Sequence, residues 1–383
     1  MAENKEMGNV PNLRFPEFTD EWEMKKLGEV APLQRGFDLP VDRIEIGKFP
    51  VVFSNGILKF HSEYKVKGPG VVTGRSGTIG KVTYVEEDYW PHNTSLWVSD
   101  FNGNYPKFIF HYYSQFQLEK LGTGSGVPTL NRNDVHIKKG YFPEVNEQKK
   151  ISDFLSIIEE RISTQSKIIE ELKLLKSALS KKIFSRQAKF SDENGNNFPE
   201  WVTTELSEVM SIPEKTKAKD IDNKKLLTVK LHLKGALKNE VTDTLSLGST
   251  HYFVRKKGQF IYGKQNLFNG AFAIISDEFD GFLSSSDVPS LDINHSKINA
   301  SYLLYYLGRE SFYKSLENLA TGSGSKRIHE VTLLKIKIDL PIVVEQDKIA
   351  NFLSRIDEKI NTELKYLASL NKQKQFLLSN LFI

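Results

Sequence analysis

The 383-residue chain has no cysteine, only four methionines and no Pro-Pro pair. Without cysteine there is no disulfide, no thiol nucleophile and no thiolate-held zinc. No apolar run approaches the roughly 20 residues a membrane span requires. The opening Met1-Ala2-Glu3-Asn4-Lys5-Glu6 lacks the basic-then-apolar order of a signal peptide. The expectation is a cytoplasmic protein without membrane contact. Excess charge is scarce as well: 52 Lys and Arg stand against 48 Asp and Glu, a net of +4. That permits nucleic-acid binding without announcing it. The small excess sits in two blocks. Residues 146–190 carry 10 basic against 6 acidic side chains and residues 344–383 carry 6 against 5, while 1–145 (17 against 18) and 191–343 (19 against 19) are neutral. What is present is core-forming material, 39% hydrophobic residues with 25 Phe and 14 Tyr, over a length that suits two domains.

Enzyme signatures also fail. Gly74-Arg75-Ser76-Gly77-Thr78-Ile79-Gly80-Lys81 approximates a phosphate loop, but Arg75 stands where the first glycine belongs and Val82 replaces the metal-binding hydroxyl. His329-Glu330-Val331-Thr332-Leu333 puts Leu where a metalloprotease helix needs its second His. Gly122-Thr123-Gly124-Ser125-Gly126 is no nucleophile elbow, because Thr123 occupies the place of its first glycine. The eight histidines show no metal-ligand spacing, so no metal site is expected. The chain reads as one that is not an enzyme by itself.

Self-comparison is the informative step. Thr123-Gly124-Ser125-Gly126 recurs as Thr321-Gly322-Ser323-Gly324, an offset of 198, and the two segments align without a gap through Phe184 and Phe382 with 23 identities in 62 pairs. Upstream the likeness continues with gaps: Phe15-Pro16-Glu17 with Trp22 against Phe198-Pro199-Glu200-Trp201, Leu27-Gly28-Glu29-Val30 against Leu206-Ser207-Glu208-Val209, and Phe108-Ile109-Phe110-His111-Tyr112 against Tyr302-Leu303-Leu304-Tyr305-Tyr306. The middles, roughly 35–105 and 215–298, barely align. Two readings stand for that contrast: a shared scaffold presenting two recognition surfaces, or drift of surface loops.

Each middle alternates β-branched and aromatic runs with Gly, Pro and Asn, as in Lys48-Phe49-Pro50-Val51-Val52-Phe53, Gly70-Val71-Val72-Thr73 and Gln259-Phe260-Ile261-Tyr262. These are short strands with turns. Helical spacing follows at about Pro106–Glu119 and Ala300–Leu319. Each repeat is therefore α+β. Each ends in a long helix with a heptad seam: Ile151, Leu155, Ile158, Ile162, Ile169, Leu172, Leu179 and Ile183, then Ile349, Leu353, Ile356, Ile360, Leu367, Leu370, Leu377 and Leu381. Phe154 and Ile168 broaden the first stripe. The domain division follows: 1–145 and 188–343 as recognition domains, 146–187 and 344–383 as helices.

Polar residues interrupt the seam at Gln165, Lys176, Glu363 and Lys374. If the offset of 198 is a two-fold relation and the helices pack antiparallel, a contact of i with j+198 requires one of j with i+198. One register then sets Lys176 beside Glu363 and Gln165 beside Lys374, avoiding a charge buried against Leu or Ile. Snorkelling of both lysines to water is the other reading.

The Thr-Gly-Ser-Gly segments read either as plain turns or as backbone cradles for phosphate, with Arg132 and Arg327 nearby in sequence. Arg75 and Lys81, and Lys264-Gln265-Asn266, lie in matching glycine-containing segments after a strand; the forked groups of Arg75, Gln265 and Asn266 suit base edges, and solvated loop residues are the other reading. The candidate DNA-contacting set is Arg75, Ser76, Thr78, Lys81, Asn93, Thr123, Ser125 and Arg132 in the first repeat, with Lys264, Gln265, Asn266, Thr321, Ser323, Lys326 and Arg327 in the second.

Two halves, each with Gly-Ser-Gly, a Pro-containing strand and then Pro143-Glu144-Val145-Asn146-Glu147-Gln148-Lys149-Lys150-Ile151 or Pro341-Ile342-Val343-Val344-Glu345-Gln346-Asp347-Lys348-Ile349, resemble the specificity subunit of type I restriction–modification systems. The likeness covers almost the whole chain. It departs at Lys326-Arg327-Ile328, where the first repeat keeps the family's Pro-x-Leu as Pro128-Thr129-Leu130. The resemblance implies two tandem α+β target-recognition domains on an antiparallel intramolecular coiled coil with pseudo-two-fold symmetry. Each domain would read half of a bipartite asymmetric DNA site, and the coiled coil would set the gap. The implied partners are double-stranded DNA, two methyltransferase subunits directing adenine methylation, and restriction/translocase subunits. No cofactor is implied in this chain, since S-adenosylmethionine, ATP and Mg2+ would bind the partners. The competing expectation is a coiled-coil adaptor with two ligand-binding domains and no DNA role.

Overall fold

The structure, a computed structural model, describes residues 9–124, 126–218, 221–239, 251–322 and 324–383. Two helices dominate it, a central one over Val145–Phe184 and a C-terminal one over Val343–Leu381. The central helix has 40 residues, about 60 Å of axis. The chain divides into two compact units, the residues up to Lys167 with Leu364–Ile383, and Ile168–Glu363. Each unit thus takes half of each long helix, so the natural cut runs through the helices rather than at their ends.

Within the first unit, the start of the central helix packs against the end of the C-terminal helix. Ile151, Leu155 and Ile158 share one core with Leu377, Leu378 and Leu381, and with Trp22, Leu33, Phe108 and Phe142 of the recognition domain. In the second unit Ile183 and Phe184 join Ile349 and Leu353 in a core with Leu206, Phe260, Tyr302 and Ile338. The two helices therefore run antiparallel, and at each end the seam opens into a domain core. All sixteen seam residues are buried or half-buried. Ile168 is not, at 38% exposed.

The offset repeats contact for contact. Glu23–Lys26 pairs antiparallel with Lys139–Phe142, and Val202–Glu205 with Lys337–Leu340. The Glu-Gln helix entry has a structural role in both. Gln148 donates to the carbonyl of Pro143 (2.9 Å) and accepts from the N–H of Tyr105 (2.9 Å), the residue that opens the helix Pro106–Gln115. Gln346 does the same with Pro341 (2.8 Å) and Asn299 (2.8 Å), which opens the helix Ala300–Leu307. Buried amides with every partner in place rigidify a junction. Glu147 is held by Arg14 through two contacts of 2.8 Å, and Glu345 by the indole N–H of Trp201 at 3.1 Å.

The register differs from the expectation. Lys176 does not face Glu363; its ammonium meets both oxygens of Asp357, at 2.6 and 2.7 Å, and Glu363 pairs along its own helix with Lys359 at 2.5 Å. In the other unit Lys374 meets Glu159 at 2.8 Å, not Gln165. Since 357 is 159+198 and 374 is 176+198, both pairs still obey the offset, six residues away from the expected register. The lysines leave the seam and reach flanking carboxylates, which avoids burying a charge on either side. A third group joins each pair from the recognition domain. The Tyr305 hydroxyl donates to Asp357 (2.7 Å), and His111 lies 3.8 Å from Glu159. A double-mutant cycle of Lys176→Met with Asp357→Leu will couple by about 1 kcal/mol, the upper range for part-exposed pairs. The cycle with Glu363→Leu will be additive. Additive behaviour in the first would place the register elsewhere.

His111 is 1% exposed, and burial holds its pKa down at about 4, with Glu159 pulling it up and Lys374 and Lys107 pushing it down. At neutral pH the imidazole is uncharged, so its contact with Glu159 is no ion pair. The ordinary value is 6.5, so on acidification the unfolded chain takes the proton first. Stability is then lost between about pH 6.5 and 4, on the order of 3 kcal/mol in full. His111→Tyr, which installs the residue found at the equivalent place in the other repeat, will narrow the difference in melting temperature between pH 7 and pH 5. An unchanged difference would remove His111 from the account.

The middles hide a common frame. In the first unit Leu33–Arg35, Ser95–Val98, Gly70–Gly74 and Val82–Val85 form an antiparallel sheet in that spatial order. In the second, Met210–Ser211, Ser290–Ile293, Phe260–Tyr262 and Phe272–Ile274 repeat it, so both follow the chain order first, fourth, second, third. The additions differ. The first unit adds a three-stranded sheet of Gly56–His61, Phe49–Phe53 and Trp90–Pro91. Among the described residues the second adds two strand pairs, Leu227–Val229 with Ala236–Lys238 and Tyr252–Val254 with Leu283–Ser285.

Candidate nucleic-acid interface

The Thr-Gly-Ser-Gly loops are closed hairpin tips. Thr123 and Thr129 exchange backbone hydrogen bonds of 3.0 and 2.9 Å, as do Thr321 and Arg327. Gly124 and Gly322 have φ of +107° and +121°, conformations that side-chain-bearing residues rarely adopt. The recurrence of Gly124 as Gly322 thus has a steric cause in the turn itself. Ser125 and Ser323 lie outside the described residues. Each loop docks on the segment that leaves the central sheet strand: the Leu130 N–H donates to the Arg75 carbonyl (2.8 Å), and the Ile328 N–H to that of Lys264 (2.9 Å). Arg75 and Lys264 are therefore equivalent, and the segments that sequence pairs by pattern are brought together with their loops.

In the first unit four loops converge there. The N–H groups of Arg75 and Ser76 donate to the Thr94 carbonyl (2.8 and 3.1 Å), and the Gly77 N–H donates to that of Pro128 (3.1 Å). The Arg75 Nε donates to the Asn93 carbonyl (3.1 Å), the Asn93 amide donates to Asp38, and Lys81 Nζ reaches the Asn55 carbonyl (2.5 Å). Gly74 to Lys81 joins two strands rather than a strand and a helix, so it is no phosphate loop. A Cβ on Gly74 would meet the Thr78 carbonyl at 1.8 Å, so this loop closes only over glycine. Burial pushes the Arg75 guanidinium's pKa down, Arg35 adds to that, and Asp38 opposes it. Among the described residues no carboxylate lies within ion-pair distance of Arg75. Thr78, Lys81, Thr123 and Arg132 are exposed, and Ser76 and Asn93 half-buried. Asn55 and Arg35 belong to this surface and are missing from the sequence-derived set. Asn55-Gly56 is the hairpin dipeptide that would have flagged the first.

The second unit is wired differently. Lys264 is 8% exposed and pairs with Glu330 at 3.0 Å, which also meets Lys215 at 3.6 Å. Burial pushes the Glu330 carboxyl up, but its own backbone N–H and the two lysines bring it below the usual value. Lys264 is thus a structural cation rather than a free one. Lys326 is exposed and pairs with Glu317 at 2.7 Å, and Arg327 contacts Asp287 at 3.4 Å. Gln265 is half-buried; Asn266 and Thr321 are exposed. Glu330 occupies the place of Arg132, since 330 is 132+198. One repeat therefore presents Arg75 and Arg132 where the other neutralises Lys264 with Glu330.

The sequence profile described as "Type I restriction modification DNA specificity domain" matches residues 19–174 and again 198–372. The chain belongs to the type I restriction–modification DNA specificity family. Among its relatives, the type I restriction enzyme MjaVIII specificity subunit of Methanocaldococcus jannaschii is 25% identical over 286 residues, which span 68% of this chain and 65% of that protein. The putative MjaX specificity subunit of the same organism is 25% identical over 332 residues, 79% of this chain and 74% of that one. A crystal structure of the type I restriction–modification S subunit from M. genitalium superposes with a TM-score of 0.63 over 98% of this chain and 99% of that one, at 17% identity. The specificity-domain match falls once on each repeat, and the shared fold has two tandem domains with long helices.

Proposed function

We propose that this chain is the DNA-specificity subunit of a type I restriction–modification complex, each unit reading one half of a bipartite, asymmetric duplex site. The observation that carries the reading is one four-stranded frame with one docked glycine loop in both units, dressed with different strands in each. A frame kept while its additions change is what two readers of different sequences need. The antiparallel helices set the unread gap. Two methyltransferase subunits bring S-adenosylmethionine for adenine methylation, and restriction subunits bring ATP and Mg2+; this chain holds no cofactor. Among the described residues no helix is long and apolar enough to cross a membrane. No observation favours an adaptor without DNA.

Gel shifts with long duplex, with and without the co-expressed methyltransferase, test the reading. Retention that weakens steeply with salt is expected with the partner present. No retention at low salt would refute it.

A further inference from the structure

The repeats also diverge at the residue that closes the docked glycine loop. Thr129 and Arg327 are equivalent and close their loops through the same pair of backbone hydrogen bonds. The Thr129 hydroxyl turns back to the Val127 carbonyl (3.4 Å), whereas the Arg327 side chain stays 36% exposed with Nε 3.4 Å from Asp287 Oδ1. That contact is an ion pair, longer than a hydrogen bond, and Nε has no hydrogen-bond partner among the described residues. Asp287 sits on a loop that is held with unusual investment. Its carbonyl accepts from the Lys264 N–H at 2.9 Å. Behind the loop lies Arg255, 5% exposed. The Arg255 guanidinium donates to the carbonyls of Ser284, Ser285 and Val288 (3.5, 3.3 and 3.2 Å) and to the hydroxyls of Ser284 and Ser290 (2.6 and 3.3 Å). Among the described residues no carboxylate lies within ion-pair distance of it. A guanidinium buried without a counter-charge is costly, and here its fork ties together the two strand ends that flank the Asp287 loop, Ser284-Ser285 and Ser290, and the Val288 carbonyl within it.

We propose that Arg327 reads a guanine in the half-site of the second unit, that Asp287 orients it, and that Arg255 is the positioning residue for the Asp287 loop. The proposal rests on that unit being a DNA reader. With its Nε edge beside a carboxylate, Arg327 keeps its two terminal nitrogens as a fork with no partner among the described residues. Guanine is the base that offers two acceptors, O6 and N7, at that spacing. The other cations named in this unit are engaged, Lys264 with buried Glu330 and Lys326 with Glu317.

Single-molecule methylation sequencing of cells carrying the intact chain with its methyltransferase decides it. Arg327→Ala is expected to lose about tenfold or more discrimination at one G·C position. That position belongs to the half-site that changes when residues 188–343 are exchanged. Arg327→Lys will not restore it, because an ammonium lacks the fork. Asp287→Asn and Arg255→Lys will relax the same position to a smaller degree, whereas a merely structural role would lower methylation of all sites together. A uniform loss with the motif intact would make Arg327 a phosphate contact, and an unchanged motif at an unchanged rate would take it off the DNA; either overturns the proposal and leaves the DNA-reader assignment standing. A wild-type complex with no bipartite motif would overturn both.

Discussion

Replacing residues 1–145 by the corresponding segment of a relative with a different target will exchange one half of the methylated site and leave the other half intact. The expectation follows from the way each unit closes on itself. Loop 75–81, the hairpin tip at Asn55, Asn93 and loop 123–129 bond to one another within the first unit, through Lys81, Arg75 and the Gly77 N–H. The Lys264–Glu330 and Arg327–Asp287 contacts lie within the second. The graft must preserve the Glu-Gln entry, because Gln148 ties the helix entry to Tyr105 and Asn104 of the recognition domain. Methylation sequencing reads the outcome directly. Both half-sites changing together would show that the units do not read independently.

Lengthening the spacer will abolish methylation at the original gap. The position of the insertion matters. Just past Phe184 the chain turns: Arg186 has φ of +60°, and the N–H groups of Gln187 and Ala188 both bond back to the Lys182 carbonyl (2.9 and 3.0 Å). Residues inserted there would be absorbed by the turn rather than added to the helix. Residues inserted into one helix alone would break the Lys176–Asp357 and Lys374–Glu159 pairs. The insertion that keeps every pair is a heptad in each helix, at Lys167/Ile168 and Lys365/Tyr366, midway between the two ion pairs on each strand of the coil. Seven residues add about 10 Å, the rise of about three base pairs at 3.4 Å each. Both half-sites should persist with a gap longer by about that amount. An unchanged gap in active protein would mean that the methyltransferases set the distance.

The duplication, the seam and the helix entry were legible in the sequence because each is a local or periodic pattern. Ile151, Leu155 and their successors recur every seven residues whatever else surrounds them. The register was not legible. Pairing the polar seam residues with each other gives another register, because a lysine stem is long enough to reach Asp357 and Glu159, which lie off the seam. The common sheet was hidden for another reason. Gly70-Val71-Val72-Thr73-Gly74 and Phe260-Ile261-Tyr262 share no residue, yet both satisfy a fully buried strand, where volume and β-branching count more than identity. Lys264 looked like a free cation because Glu330, which neutralises it, is far along the chain. Arg75 remained available since its equivalent neighbour is Arg132 rather than an acid.

Sequencing of the methylated genome of cells carrying this chain with its methyltransferase tests the central claim most directly. The account predicts adenine methylation at a single asymmetric motif made of two short blocks with a gap of fixed length, lost when this chain is deleted. Methylation at a continuous motif, at blocks with variable gaps, or unchanged by the deletion would contradict it.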